Sequence, residues 1–234
     1  RDVERSRGLG DVYKRQQMGF PVGRINLLVK SAILHDIGAL KLQQLPDAED
    51  LDDGTKEVVK KNTQETLDRY GDLDEEVLRL ITQMQELYTR ESDAEIPAGL
   101  KESVNANILY VADAYDRMTA MKSFEEPTSE VKAVRELLAD EERYNKKIVN
   151  ALIHGISILY PGVCVELSNG EKGLVITENE DNIFEPTVLD FRNNNLYDLS
   201  DPSVKQTIEI ADVMKTMDNR IKLDKSLLEE YQAN

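Results

Sequence analysis

The sequence has 234 residues, a formal net charge of −16 and a pI of about 4.6. This length suits one large domain, or one domain with a small appendage. Such an acidic chain is a poor general binder of nucleic acid or of an anionic membrane surface. We therefore exclude nucleic-acid binding and membrane binding as general roles. A small anionic ligand stays open wherever basic groups converge.

Cysteine content and hydropathy point to a cytoplasmic protein. Cys164 is the single cysteine, so no intrachain disulfide can form, which fits a reducing compartment. No apolar run reaches the ~18 residues that a membrane-spanning helix needs, and no signal-peptide core is present. We therefore expect a cytoplasmic location and no membrane span in this fragment.

The first 17 residues differ from the rest of the chain. The run RDVERSRGLGDVYKRQ is basic, has no clear helix or strand period and resembles a translated sequencing adapter. We expect residues 1–17 to be a non-native or disordered leader and exclude them from fold reasoning. The chain would then be truncated, with its native start further upstream. The alternative is a genuine disordered N-terminal arm.

Helical periodicity dominates residues 18–160. Loops are predicted over Pro46–Gly54 and Thr89–Gly99, and Asp72 is a plausible N-cap. The residues predicted to face inward are Ile25, Leu28, Val29, Ala32 and Ile33 in a first helix, and Val58, Val59 and Leu67 in a second helix (about Thr55–Tyr70). In a third helix they are Val77, Leu80, Ile81, Met84, Leu87 and Tyr88, and in a fourth (about Ser103–Met121) they are Val104, Ile108, Val111, Ala112, Tyr115 and Met118. In a fifth helix they are Val131, Val134, Leu137 and Leu138, and a sixth helix is predicted over about Asn145–Leu159.

The pattern changes to short strands in residues 161–234. Alternating apolar residues flank Asn169-Gly170, which is a strong β-hairpin signal. Further strand-like runs lie near Thr187–Phe191, Leu196–Leu199 and Thr207–Ile210, and a short helix is predicted over about Lys225–Tyr231. The sequence therefore predicts a mainly α fold, a helical domain over 18–160 and a small β-rich tail over 161–234.

A His-Asp doublet, His35 and Asp36, lies in the apolar run Ile33–Gly38 and is predicted to sit inside a helix. Adjacent side chains leave a helix about 100° apart, so the pair supplies two edges of a metal site and needs ligands from other helices. Imidazole and carboxylate suit iron, manganese or zinc. The alternative is a structural role, with His35 stabilising a helix C-terminus.

Four segments carry a family resemblance. They are SAILHDIGALKL, PAGLK, NANILYVADAYDRMTAMKSF and IVNALIHGISILYPGVCVELSNGEKGLVI. In this order they resemble the HD-GYP domain of the HD superfamily over residues 19–188, which implies an HD-type helical bundle. Active members are cyclic di-GMP phosphodiesterases whose two or three metal ions generate hydroxide and clamp the phosphodiester.

The resemblance assigns a remnant metal site to His35, Asp36 and Asp113. The superfamily's first histidine would lie upstream of residue 18. With that histidine, one divalent ion (iron, manganese or zinc) is conceivable as a cofactor; without it no cofactor is expected.

The family's three internal histidine positions fall on Asn62, Met84 and Gln85. A thioether is a poor ligand for hard divalent ions, and amides are weak ligands. A two-metal site is therefore excluded, and no residue is assigned a catalytic role.

The phosphate-binding positions are also altered. The family's lysine is Ala39, its later arginine is Lys122 and the tyrosine that follows is Phe124. Only Pro97 of the Gly-Tyr-Pro triplet remains. Lys122 is the one residue left as a weak substrate-binding candidate.

Four further residues are interpreted as structural. His154 is expected to be packed or on the surface, and Cys164 lacks a neighbouring histidine that would activate a thiol. Asp116 follows Asp113 by one helical turn and is interpreted as a solvated charge, with a supporting role at the site as the alternative. Glu86 is expected on the surface.

We predict a degenerate HD-GYP domain of a bacterial signalling protein, which acts as a regulatory or interaction module with protein partners and without phosphodiesterase activity. One alternative is a metal-dependent HD-type phosphohydrolase or cyclic di-GMP phosphodiesterase that uses His35, Asp36 and Asp113. A second is a receptor that binds cyclic di-GMP without cleaving it. Ala39 and Lys122 leave little to hold two phosphates, which weighs against the receptor.

Overall fold

The computed structural model describes residues 20–42, 53–70, 73–89, 97–120, 126–179 and 181–214, in which a helical region precedes a small sheet. This confirms the predicted mainly α fold with a C-terminal β-rich appendage. Along the described residues the elements are α1 (Val22–Leu34), a 3₁₀ helix (Ile37–Lys41), α2 (Asp53–Tyr70), α3 (Glu75–Thr89), α4 (Ala98–Glu102), α5 (Val104–Thr119), α6 (Glu130–Ala139), α7 (Lys146–Ile156), β1 (Cys164–Leu167), β2 (Lys172–Thr177), β3 (Thr187–Asp190), β4 (Leu196–Asp198), α8 (Pro202–Lys205) and β5 (Ile210–Val213).

Several sequence predictions fall on residues outside these ranges. They are the leader at residues 1–17, the Asp72 N-cap, Lys122, Phe124 and the C-terminal helix at Lys225–Tyr231. The described edges of the two predicted loops are helical: Asp53 and Gly54 begin α2, and Ala98 and Gly99 begin α4.

The chain forms two compact units, each containing part of α6. The first unit holds the described parts of Arg1–Pro127 and Leu137–Gly155, and the second holds Thr128–Glu136 and the described part of Ile156–Asn234. The predicted division into residues 18–160 and 161–234 stays a prediction, because these units assign the start of α6 to the sheet.

Two contacts explain why the start of α6 belongs to the second unit. The Arg135 guanidinium donates a hydrogen bond to the carbonyl oxygen of Ile210. Lys132 Nζ lies 3.0 Å from the Asp212 carboxylate on β5. Burial raises the pKa of Asp212, but hydrogen bonds from Ser129 and Lys132 outweigh burial, and the pKa lies below its usual value. Sequence periodicity carries no signal for such long-range ties.

In the second unit the described strands form one antiparallel sheet in the order β4-β3-β2-β1-β5. The predicted hairpin is confirmed, since Cys164 pairs with Leu174 and Gly170 adopts a φ of 81° in the turn. The strand predicted at Thr207–Ile210 is displaced, because α8 precedes it and strand pairing begins at Ile210.

The inward face predicted for α1 is wrong. Val29 is 47% exposed and Ile33 is 69% exposed, whereas Ser31 is fully buried. Leu27 and Leu34 instead pack against the core cluster of Leu67, Val77 and Ile81. The helix carries apolar residues on two sides, so periodicity alone cannot identify the side that the neighbouring helices cover.

The inward face predicted for α5 is only partly right. Val111 is buried as predicted, but Val104 and Ala112 are exposed. Helices α1, α3 and α4 all contact α5, so it is buried on more than one side and a single stripe misdescribes it. Its buried residues are Ala106, Asn107, Leu109, Tyr110, Val111 and Ala114.

Helices α2, α3 and α6 follow the sequence prediction more closely. In α3, every predicted inward residue is buried except Tyr88, which is half-buried. In α2, Val59 and Leu67 are buried as predicted, while Val58 is exposed. In α6, Val131, Val134 and Leu137 are fully buried, and Ser129 Oγ accepts a hydrogen bond from Lys132 N at 3.3 Å, as expected of a cap.

Gly38 brings the 3₁₀ helix into direct backbone contact with α2. Its N–H donates to the hydroxyl of Thr63 at 3.0 Å, and Thr63 is fully buried. A Cβ atom on Gly38 would lie 2.3 Å from the Val59 carbonyl oxygen and 2.4 Å from Thr63 N. Both atoms belong to a helix backbone and cannot move aside as a side chain would.

We therefore expect Gly38→Ala to lower the free energy of unfolding by about 1–3 kcal/mol or more, the usual effect of overpacking. Gly23→Ala in α1 is the matched control, because a Cβ there meets nothing within 4 Å. The control should be neutral or stabilising by up to about 1 kcal/mol, since alanine favours a helix. Urea unfolding followed by circular dichroism measures both, and equal effects would contradict the close approach.

Candidate functional site

The doublet lies at the end of α1 and not inside a helix, which corrects the sequence prediction. Helix α1 ends at Leu34, His35 is its C-cap, and Asp36 leaves helical geometry with φ −116° and ψ 13°. The 100° separation expected for adjacent residues in a helix therefore does not apply here. The alternative structural role, a histidine at a helix C-terminus, matches the observed position of His35.

Both nitrogen atoms of the His35 ring are engaged. Nδ1 lies 2.7 Å from the carbonyl oxygen of Ala32, and Nε2 lies 3.4 Å from Asp113 Oδ1. A carbonyl oxygen only accepts hydrogen bonds, so Nδ1 carries the proton in the first contact. A carboxylate beside Nε2 favours a proton there as well. The surroundings of His35 thus suit the imidazolium, whereas a metal ligand needs a free lone pair on one nitrogen.

Asp113, on α5, divides its two carboxylate oxygens between two basic side chains. Oδ1 faces His35, and Oδ2 lies 2.9 Å from Nε of Arg117, one helical turn further along. The Asp113 side chain is only 17% exposed. Arg117 Nε is buried and makes no aligned hydrogen bond to a described residue, so its contact with Asp113 is ionic in character. The guanidinium carbon also lies 4.6 Å from the ring centroid of Tyr88.

Asp36 does not converge on the same point as Asp113. Its side chain is 64% exposed, and Oδ1 lies 3.9 Å from Nδ1 of His35, the ring nitrogen that does not face Asp113. Within the described ranges, no three His, Cys, Asp or Glu side chains are grouped as metal ligands. His35, Asp36 and Asp113 as placed here do not fit a metal ion, because two carboxylates flank different ring nitrogens and one of them is paired with Arg117.

Two positions where the resemblance expects histidine ligands hold amides that bind the doublet segment. The Gln85 side chain is buried, and its Nε2 donates to the carbonyl oxygen of His35 at 2.9 Å. The Asn62 amide reaches the carbonyl oxygen of Gly38 at 3.5 Å, a weaker contact. Met84, at the third position, lies in the hydrophobic core.

The other residues singled out in the sequence lie apart from this cluster or outside the description. Glu86, Asp116 and His154 are exposed, as interpreted from the sequence. Burial raises the pKa of the Cys164 thiol, which fits an unreactive cysteine. Lys122, the weak substrate-binding candidate, lies outside the described residues.

Sequence reasoning missed Arg117 and the contact made by Gln85. Arg117 follows Asp113 by four residues on a predicted helix, and this spacing is a recognised ion-pair signal. The Gln85 contact had no such signal, because 50 residues separate the amide from the carbonyl that it reaches.

A cavity of about 310 Å³ lies elsewhere in the first unit, lined among others by Leu27, Arg79 and Asn105. None of His35, Asp36 and Asp113 contributes to its lining. Two of its polar residues are already joined by a hydrogen bond, Ser103 Oγ to Gln83 Oε1 at 2.8 Å. The cavity is therefore separate from the doublet.

The pKa of His35 is raised above its usual 6.5. Burial is the largest influence and lowers it. The hydrogen bonds to Asp113 and Ala32, together with the charges of Asp36 and Asp113, raise it by more. A raised pKa in the folded state means that protonation of His35 stabilises the fold.

We expect this stabilisation to be fully present below about pH 6.5 and to be lost as the pH rises through the raised pKa of His35. The measurement is urea unfolding of the wild type and of His35→Gln in EDTA, from about pH 5.5 to 8.5. The free-energy difference between the two proteins should shrink toward high pH. A difference that grows with pH would show that neutral His35 is the favoured form.

We also expect Gln85→Ala to lower the free energy of unfolding by about 1–3 kcal/mol, because the part-buried carbonyl oxygen of His35 loses its hydrogen-bond donor. Gln64→Ala is the control, since the Gln64 amide makes an exposed contact with Asp68 at 3.0 Å. The control should change stability by less than about 0.5 kcal/mol. Chemical denaturation of both variants tests this, and a silent Gln85→Ala would contradict the structural role of the amide.

Comparison with known protein families agrees with the resemblance of the motifs around His35 and Asp36 to the HD superfamily. The family model described as HD domain matches residues 6–118. The matched range begins within residues 1–17, and the prediction that those residues are a leader stays a prediction. A search of curated proteins found no match. No described helix is long and apolar enough to cross a membrane. The family match supports the assignment of residues 6–118 to the HD superfamily.

Proposed function

We propose that this chain contains a non-catalytic HD domain, related to the HD-GYP type, that serves as a regulatory or interaction module of a bacterial signalling protein. The HD family match and the order of the four quoted motifs support the relationship. The expected partners are proteins, because the acidic surface disfavours nucleic acid and anionic membranes.

The observation that carries the proposal is the internal engagement of the doublet. His35 contacts a backbone carbonyl through one ring nitrogen and Asp113 through the other. Asp113 is in turn paired with Arg117, and Gln85 donates to the His35 backbone. Each of these groups has a partner within the first unit, so the arrangement explains their presence without catalysis.

The alternative function is a metal-dependent phosphohydrolase or cyclic di-GMP phosphodiesterase. One observation favours it: the fold brings His35 within 3.4 Å of Asp113, which lies 78 positions further along the chain (113 − 35). Catalysis would require the exposed Asp36 side chain to turn toward the other two, Arg117 to leave Asp113, and a further ligand from elsewhere. The donor set as described does not fit a metal ion, and we derive no catalytic step through one.

We expect no hydrolysis of cyclic di-GMP or of bis(p-nitrophenyl) phosphate with added Mn²⁺, Fe²⁺ or Zn²⁺. The assay compares the wild type with Asp113→Ala and with Asp116→Ala, an exposed neighbour on the same helix. Equal background rates in all three proteins support the proposal. Metal-dependent turnover that Asp113→Ala abolishes and Asp116→Ala retains would establish the phosphohydrolase instead.

Calorimetry with cyclic di-GMP separates the receptor alternative. The proposal predicts no heat of binding, because the resemblance leaves alanine at position 39 where the family has a phosphate-binding lysine. Saturable binding without turnover would replace the proposal with a nucleotide receptor.

A further inference from the structure

We propose that Arg117 supplies, from within the fold, the positive charge that Asp113 would otherwise receive from a metal ion, and that this ion pair keeps divalent metals away from Asp113. The inference rests on the proposed function, in which the domain holds no catalytic metal. In addition to the missing histidine ligands, the positive charge of Arg117 disfavours the binding of a metal ion at Asp113.

The first support is the geometry of the Asp113 carboxylate. The guanidinium lies 2.9 Å from Oδ2, the distance of a direct ion pair, while Oδ1 faces His35 at 3.4 Å. Both oxygens that a metal ion would use therefore already face a basic side chain.

The second support is the way in which Arg117 is held. Its guanidinium lies over the face of Tyr88 at 4.6 Å, a cation–π distance, and Tyr88 belongs to α3 whereas Arg117 belongs to α5. The Asp113 side chain is 17% exposed, so water screens its charge poorly and the pairing matters more than it would on an open surface.

The third support is electrostatic. A divalent ion bound to Asp113 would lie within a few ångströms of the guanidinium, and like charges at that distance repel each other. Removing the guanidinium charge should therefore strengthen the attraction of divalent ions to Asp113 and His35, even if binding stays weak with so few ligands.

The experiment reads metal binding locally, at histidine. The chain has two histidines, His35 beside Asp113 and the exposed His154 on α7. Paramagnetic Mn²⁺ broadens nearby imidazole signals in NMR spectra, so His154 reports diffuse binding to the acidic surface while His35 reports binding at the site. The probe is Mn²⁺ alone, titrated into the full chain without nucleotide.

Two neutral variants, Arg117→Met and Arg117→Gln, are made in parallel so that at least one folds, as judged by circular dichroism and by an unchanged His154 signal. Arg79→Met is the matched control, because Arg79 is an exposed arginine on α3 and its loss changes the net charge equally. Arg117→Lys keeps the charge and should behave as the wild type.

We expect His35 to broaden at about tenfold lower Mn²⁺ in a folded neutral variant than in the wild type or in Arg79→Met, relative to His154 in each protein; tenfold corresponds to about 1.4 kcal/mol. Adding Asp113→Asn should abolish the gain. If the neutral variants match Arg79→Met, or if Asp113→Asn leaves the gain intact, the inference is overturned.

The inference and the proposed function fail in different ways. Tight Mn²⁺ binding at His35 in the wild type, lost with Asp113→Asn, overturns both. A wild type without site binding, together with neutral variants that gain none, overturns only the role of Arg117. In that outcome the missing ligands alone exclude the metal.

Discussion

The backbone contact between Gly38 and α2 fixes the segment that carries the doublet. Without a side chain, Gly38 lies against the Val59 carbonyl and donates to Thr63, which holds the 3₁₀ helix directly against the backbone of α2. His35 lies only three residues before Gly38, so the same contact helps to position its ring against α5 and its carbonyl against α3. The contacts of His35 with Asp113 and of the Gln85 amide with the His35 carbonyl depend on that placement.

The charges around Asp113 determine whether the candidate site can bind a metal ion. Asp113 is a poorly exposed carboxylate, and a carboxylate in such a position needs a cation, a proton or a metal ion. The fold supplies Arg117 on one oxygen and His35 on the other. These contacts favour the protonated ring of His35, which is the form that cannot ligate a metal. The charge of Arg117 and the protonation of His35 therefore both disfavour metal binding at Asp113.

The sequence predicted elements with one buried stripe and local turn chemistry, such as α3 and the Asn169-Gly170 hairpin. It failed for α1 and α5, because a helix with apolar residues on two sides, or with several neighbours, has no single period to read. At the site, the resemblance grouped His35 with Asp113, and the two side chains lie 3.4 Å apart. It did not place Asp36, because the doublet was predicted inside a helix, whereas α1 ends at Leu34 and Asp36 has non-helical backbone angles.

Three contacts of the candidate site join α1, α3 and α5 in pairs. Gln85 joins α3 to the end of α1, His35 joins the end of α1 to Asp113 on α5, and Arg117 joins α5 to Tyr88 on α3. Each pair of these elements therefore has its own direct contact, made by the Gln85 amide, the His35 imidazole and the Arg117 guanidinium.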